Sequence, residues 1–325
     1  MPARRGNASR LSDIPNLLIQ RDVSLAEHTR FHIGGPADLF ADASDELTFI
    51  AAIKTALAEQ IPFEVIGAGS NLLVSDDGFR GLILRYTGSR IALDGITVTA
   101  EAGAVLQNLV DFTIDHGLAG IHTMTGIPGW VGAAVYGNAG AYGRAINQSI
   151  TRVRFYDGAA VREYNNEECN FRYRESTFKD NKGWIIFSAD LEFTTGDAAA
   201  LRTNADEILS VRNAKYPPTM RCAGSIFKNL LYAELPEHVQ REVPPKMIRE
   251  GKVPSAYFLE LVDAKGMKSG DIKVADYHAN LIYNEGCGTA AQVRDIIEEL
   301  KRRVRDRFHF DVEEEVQYVG FAEEF

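Results

Sequence analysis

Two glycines separated by one alanine, then serine and asparagine, form the first stretch able to do chemistry: Gly67-Ala68-Gly69-Ser70-Asn71. Glycine allows positive φ and a close backbone approach to a ligand. Successive N–H groups in such a turn make a concave anion site without a helix dipole. The chemistry this implies is a pyrophosphate cradle. A G-x-G-x-x-G dinucleotide motif needs a third glycine and an immediate helix, whereas Leu72 holds that position and a turn at Asp76-Asp77-Gly78 follows. A plain tight turn stays equally open. A second glycine-rich run, from Gly126-Ile127-Pro128-Gly129 through Asn138-Ala139-Gly140-Ala141 to Gly143, has almost no charge. It is costly in backbone entropy, which either a flat ligand or a tightly packed buried loop explains. Taken singly, Ser225 reads as a turn serine, Arg174 as a surface arginine and Glu315 as a solvated carboxylate.

The elements that must position these residues alternate between strand and helix. Ile61–Ile66 reads as a buried strand feeding the glycine turn. Before it, Ser44 reads as the N-cap of a helix running to about Gln60. The Gly34-Gly35-Pro36 turn reads as a hairpin or as a backbone wall. A helix is expected over Ala104–His116, stopped by Gly117. Strands are expected at Thr151–Tyr156, Val161–Tyr164 and Trp184–Phe193, with an Asp157-Gly158 hairpin. A helix from Asp197 must end at Lys215-Tyr216-Pro217-Pro218. Leu230–Pro254 is charged, proline-punctuated and looks inserted. Thr289 caps a strongly amphipathic helix. Val312–Gly320 reads as a final strand, in which alternation puts Glu314 on the face opposite Glu313 and Glu315.

Bulk properties narrow the function. The chain has 325 residues, enough for two or three domains. Its formal net charge of -10 argues against general nucleic-acid binding, so anionic ligands need locally concentrated cations; Lys228, Lys265 and Lys268 are candidates, with a solvated loop equally open for the last two. No apolar run reaches membrane-spanning length. The basic, polar stretch Met1–Arg10 has no apolar core after it, which argues against a secretory signal. Cys169, Cys222 and Cys287 have no metal-binding spacing and are expected as reduced thiols in a cytoplasmic protein.

Taken in order, several strings resemble one family. They are Phe31-His32-Ile33-Gly34-Gly35-Pro36-Ala37, the Gly67–Leu73 loop, Gly126–Gly129, Asn138–Gly143, Tyr173-Arg174-Glu175-Ser176, Ala223-Gly224-Ser225-Ile226-Phe227-Lys228-Asn229, His278-Ala279-Asn280 and Glu315-Val316. Each is unspecific alone, but their order and spacing resemble the UDP-N-acetylenolpyruvoylglucosamine reductases, FAD enzymes of peptidoglycan synthesis, and within them the second-type form. The resemblance implies an α+β fold. After an N-terminal segment over residues 1–28 it places an FAD-binding domain of the vanillyl-alcohol-oxidase-like (PCMH) type at 29–196. A helix and smaller α+β substrate domain follow at 197–308, and a C-terminal strand carrying a catalytic glutamate at 309–325.

The same resemblance implies the chemistry. NADPH reduces FAD, and the flavin passes hydride to the enolpyruvyl ether of UDP-N-acetylglucosamine. Ser225 protonates the neighbouring carbon, Arg174 offsets the substrate carboxylate and Glu315 assists as a hydrogen-bond donor. A serine is a poor acid, but an enolate carbon is basic enough when geometry is fixed. FAD contacts are implied at Gly67, Ala68, Gly69, Ser70, Asn71, Gly126, Ile127, Pro128, Gly129, Asn138, Ala139, Gly140 and Ala141. Substrate contacts are implied at Lys215 and Asn229. No metal, membrane or nucleic-acid partner is expected, and the enzyme is expected to be monomeric. Two departures stand out: Leu230 follows Asn229 where the family usually has proline, and Glu314 replaces the proline of the usual Glu-Pro-Glu-Val. Another flavoprotein oxidase or dehydrogenase acting on a sugar or alcohol is the alternative. A non-catalytic nucleotide-sugar sensor is a further one.

Overall fold

The computed structural model describes residues 9–321, so the first eight residues of the basic opening stretch lie outside it, as do the last four of the chain. It has mixed helix and strand content, α+β as expected. The described chain forms two compact units. One comprises residues up to Val23, Ala37–Ala68 and Arg80–Pro218; the other Ser24–Pro36, Gly69–Phe79 and the chain from Thr219 onward. Among the described residues no helix is long and apolar enough to cross a membrane.

The first unit holds two sheets. One orders Leu18–Ser24, Pro36–Ala43, Phe79–Tyr86 and Phe63–Val65, the last pair parallel. The strand expected over Ile61–Ile66 is shorter: only Phe63–Val65 pairs, and none of its residues is fully buried. The apolar signal came from its flanks, since Ile61 and Ile66 are both 7% exposed. The other sheet is antiparallel and orders Val161–Asn165, Ile150–Tyr156, Ile185–Glu192, Thr97–Glu101 and Ile91–Asp94. Its hairpin turns at Asp157, whose carboxylate accepts the N–H groups of Ala159 and Ala160 at 2.8 and 2.7 Å.

Helix Glu46–Ala58 buries Phe49, Ala52, Ile53 and Ala56, and Phe49 meets Tyr86 and Phe187 edge-on at 5.8 Å. Its cap is Asp45, not Ser44: the Asp45 carboxylate accepts the Thr48 N–H at 2.9 Å and the Thr48 hydroxyl at 2.8 Å. These bonds hold the Asp45 carboxyl below its usual range. Asp45→Ala is expected to cost about 1 kcal/mol in urea unfolding at neutral pH. A lowered folded-state pKa stabilises above the unfolded value, so the difference between variant and parent should vanish as pH falls through the acidic carboxylate range. Helices Leu106–Asp115 and Ala198–Lys215 fall as expected, the latter capped by Asp197.

The second unit is built on the antiparallel sheet Lys268–Ser269, Ile272–Ala275, His278–Asn284. Helix Ala290–Phe308 buries Val293, Ile296, Ile297, Leu300 and Val304, and Thr289 and Gln292 form a capping box. The Asp76 carboxylate accepts the N–H groups of Ala290 and Ala291 at 2.8 and 3.0 Å, a favourable charge at a helix N-terminus. The inserted-looking stretch closes on itself: Leu230–Leu231 pairs with Lys252–Val253, and Leu235, Val239 and Val243 are buried. Gly35 packs on backbone, where a Cβ would lie 2.2 Å from the Asp76 carbonyl oxygen. The final strand is also shorter than expected. Only Gln317–Val319 forms a strand, parallel to Leu72–Val74, whereas Glu313–Glu315 is an extended segment with an isolated bridge at Glu314.

Candidate active site

In the first unit, two strings far apart in sequence come together. Arg174 sits at φ 60° in a turn closed by reciprocal backbone bonds of Arg172 and Glu175 at 3.0 and 3.2 Å. A positive φ is uncommon for arginine, and such strain concentrates at functional sites. The Arg174 guanidinium donates to the carbonyls of Gly140 and Asn138 at 3.2 and 3.5 Å and lies over the Tyr173 ring, 5.3 Å from its centre. Buried Asn138 in turn donates to the Arg172 carbonyl at 2.8 Å. The Ser176 hydroxyl donates to the Tyr136 carbonyl at 2.7 Å. The 138–141 loop and the Arg174 turn are therefore one folded feature that presents a permanent cation on carbonyl supports.

The glycines of this unit fall into two kinds. A Cβ on Gly140 would lie 2.4 Å from the Arg144 carbonyl oxygen, so the protein itself requires that glycine. Gly126, at φ 73°, gives its N–H to the Gln107 side-chain oxygen at 2.7 Å. Leu106 donates to the Gly129 carbonyl at 2.9 Å, so the Gly126-Ile127-Pro128-Gly129 turn is anchored to the helix that starts there. Gly67 and Gly137 differ. Neither has positive φ, and a Cβ on either would meet only ordinary contacts, 3.6 Å from atoms of Ala133. Nothing in the fold itself demands glycine at either position. Lys215 ends helix Ala198–Lys215, its ammonium 5.0 Å from the Tyr216 ring centre.

Sequence reasoning passed over two residues of this unit. His122 Nδ1 and Thr123 Oγ1 are buried with no hydrogen-bond partner in the protein. Burial, with Arg144 adding to it, pushes the His122 pKa down. Such orphaned polar atoms are rare in folded proteins and call for a partner. The strings around Gly126 pointed to the region but not to these side chains. A separate cleft of about 270 Å³, lined by Glu46, Tyr86, Arg90, Glu101 and Phe187 among others, holds none of the expected site residues.

In the second unit, three more strings meet. Gly224, at φ 77°, turns the chain into Ser225, which bridges to Leu281. One residue on, Ile226 receives the Glu315 N–H on its carbonyl at 2.7 Å, and the Glu315 carbonyl accepts the Asn71 side-chain amide at 2.8 Å. The Ser225 segment thus runs antiparallel to the Glu315 segment, and the Asn71 side chain at the end of the Gly69-Ser70-Asn71 loop holds the Glu315 carbonyl. Gly69 is a structural glycine: at φ 68° its Cβ would lie 1.8 Å from the His28 carbonyl oxygen. The Ser225 segment is braced from the other side by buried Asn280. The Asn280 side chain accepts the Phe227 N–H at 2.9 Å and donates to the Phe227 carbonyl and the Ser255 hydroxyl at 2.8 and 2.7 Å. Asn229 is exposed, and its side-chain oxygen takes the Ser255 N–H at 3.4 Å.

Each of the three lysines considered for offsetting substrate charge pairs with a carboxylate. Lys228 is buried and pairs with Glu313, while Lys265 and Lys268 pair with Glu260 and Glu285 at 2.9 and 2.7 Å.

Residues 37–160 match the model of an FAD-binding domain, which makes the chain a flavoprotein. Gly67 and Gly137, which the fold itself does not demand, and the orphaned His122 and Thr123 atoms fit a flat, polar-edged cofactor. Residues 216–319 match the C-terminal domain of UDP-N-acetylenolpyruvoylglucosamine reductase. The reductase of that name from Solibacter usitatus is 57% identical over 311 residues, spanning 96% of this chain and all of that protein. That from Rubrobacter xylanophilus is 35% identical over 301 residues, 92% of this chain and 94% of the relative. The crystal structure of the Thermus caldophilus reductase superposes with a TM-score of 0.73 at 27% identity, covering 93% of this chain and 99% of that one. The chain belongs to the UDP-N-acetylenolpyruvoylglucosamine reductase family.

Proposed function

We propose that the protein reduces UDP-N-acetylglucosamine enolpyruvate to UDP-N-acetylmuramate with NADPH, a step of peptidoglycan synthesis. The observation that carries the reading, beside family membership, is the pairing that sets Ser225 and Glu315 on adjacent segments through the Ile226–Glu315 hydrogen bond. When bound, FAD supplies hydride carriage from NADPH to the terminal vinyl carbon of the substrate. Gly67, Ala68, Gly69, Ser70, Asn71, the Gly126–Gly129 turn and Asn138–Ala141 are the residues we assign to holding it, with His122 and Thr123 added. Ser225 gives its hydroxyl proton to the carbon beside the reduced one. Arg174 supplies fixed positive charge where the substrate carboxylate gathers electron density. Glu315 steadies that charge by hydrogen bonding. Lys215 and Asn229 are assigned to the UDP-sugar. We read the enzyme as a cytoplasmic monomer, consistent with its acidic charge of -10 and its free cysteines.

The test is a titration. The purified protein should be yellow, bleach on NADPH addition, and regain colour anaerobically when the enolpyruvyl UDP-sugar is added. A colourless protein that takes up no FAD, or reduced protein recoloured only by oxygen, sinks the proposal.

A further inference from the structure

We propose that Glu314 is a positioning residue. With Lys301 and Tyr318 it forms a clamp that fixes the backbone from which Glu315 projects. This rests on the assignment of Glu315 above and adds to it a device in which this chain departs from the family motif.

Lys228 donates its N–H to the Glu313 carbonyl at 2.9 Å, and Glu315 donates to the Ile226 carbonyl at 2.7 Å. Phe227 therefore faces Glu314 as a non-hydrogen-bonded pair, whose own N–H and C=O point away from the partner strand. The ladder holds the peptide groups on both sides of Glu314 through the Glu313 carbonyl and the Glu315 N–H, and the side chain adds a tie outside the ladder. One carboxylate oxygen accepts the Lys301 ammonium at 2.8 Å and the other accepts the Tyr318 hydroxyl.

Lys301 lies on helix Ala290–Phe308 and Tyr318 in strand Gln317–Val319, so the carboxylate ties the segment to two elements of the same unit. The carboxylate is 15% exposed and the ammonium 25%, so solvent screens the pair less than a surface one. The Glu313 side chain, by contrast, is 71% exposed and pairs with Lys228.

The motif that this stretch resembles carries proline at this place. It would restrain the same peptide by another route: a fixed φ and no N–H. At a non-hydrogen-bonded position the missing N–H costs nothing. The clamp and the ring are thus alternative ways of immobilising one peptide.

The experiment compares Glu314→Ala, Glu314→Gln, Glu314→Pro and Tyr318→Phe in the FAD-loaded enzyme. Stopped flow would follow flavin reduction by NADPH and, separately, reoxidation by saturating enolpyruvyl UDP-sugar. Hydrogen exchange would follow the peptide containing the Glu315 amide. Glu314→Ala should slow reoxidation about tenfold or more, as a small misplacement of an assisting group does. Flavin reduction should be unchanged and exchange at the Glu315 amide faster. Glu314→Gln, which can still meet both partners, and Glu314→Pro should restore both readouts. Tyr318→Phe removes one arm and should give the same split with a smaller loss, which covers a Glu314→Ala protein that fails to fold. Normal reoxidation in Glu314→Ala, or a loss shared equally by both half-reactions, overturns the clamp. Glu315→Ala, which removes the hydrogen-bonding group altogether, is run alongside. If it is slow while Glu314→Ala is normal, the clamp alone falls; if it is normal, the assignment of Glu315 falls and the clamp with it.

Discussion

Ser225→Ala should reduce its flavin with NADPH at the parent rate and lose reoxidation by the enolpyruvyl substrate by about 10²- to 10⁴-fold, the range for a removed general acid. The substitution is gentle on the fold. Ser225 enters its place through the positive φ of Gly224 and through backbone pairing with the Leu281 strand. Its neighbour Ile226 carries the backbone bonds to Asn280 and Glu315. None of these depends on the hydroxyl. A normal single-turnover rate of reoxidation in Ser225→Ala, with UDP-N-acetylmuramate as product, would assign the proton to another group. Unchanged unfolding by urea would show that a slow rate is not a folding defect.

The second large effect separates two glycines a single residue apart. Gly69→Ala places a methyl group 1.8 Å from the His28 carbonyl oxygen at φ 68°. The left-handed conformation alone costs roughly 1–2 kcal/mol for an L-residue. Relief of the overlap adds to that, so the total should reach the exceptional class of about 4 kcal/mol or more. Gly67→Ala meets only Ala133 at 3.6 Å and Trp130 at 3.9 Å without positive φ, so the apoprotein should unfold as the parent does. What Gly67→Ala should lose is FAD, measured as flavin per protein after dialysis and as the dissociation constant on titration. Equal destabilisation of both apoproteins would make Gly67 a structural glycine. Full flavin retention by Gly67→Ala would remove it from the cofactor site.

The contrast shows what one chain could and could not reveal. The glycine loop was legible as a special backbone feature, but its residues serve two masters. Gly67 is not demanded by the fold, whereas Gly69 yields to a carbonyl some forty positions upstream, which no local pattern announces. The long amphipathic helix with its Thr289 cap was readable because period and cap chemistry are local. The Asp45 cap was misplaced by one residue because Ser44 and Asp45 are equally good acceptors, and only the final geometry selects between them. Ser225, Arg174 and Glu315 could be picked out by family strings alone, since each is an ordinary residue by type. Their supports were not legible: the Gly140 carbonyl under Arg174, the Asn280 brace behind Phe227 and the Asn71 amide on Glu315 are all contacts across long sequence separations. His122 and Thr123 gave no signal because a polar atom is noticed as orphaned only once its surroundings are known.

The parallel pairing of Leu72–Val74 with Gln317–Val319 has a consequence for biogenesis. The hydrogen bond from Asn71 to Glu315 beside it closes a span of 244 residues. The earlier strand cannot make this pairing until Gln317–Val319 has emerged from the ribosome. Exposed strand edges recruit other chains, and distant pairings form slowly. Copies that lack Gln317–Val319 should therefore be the more aggregation-prone species.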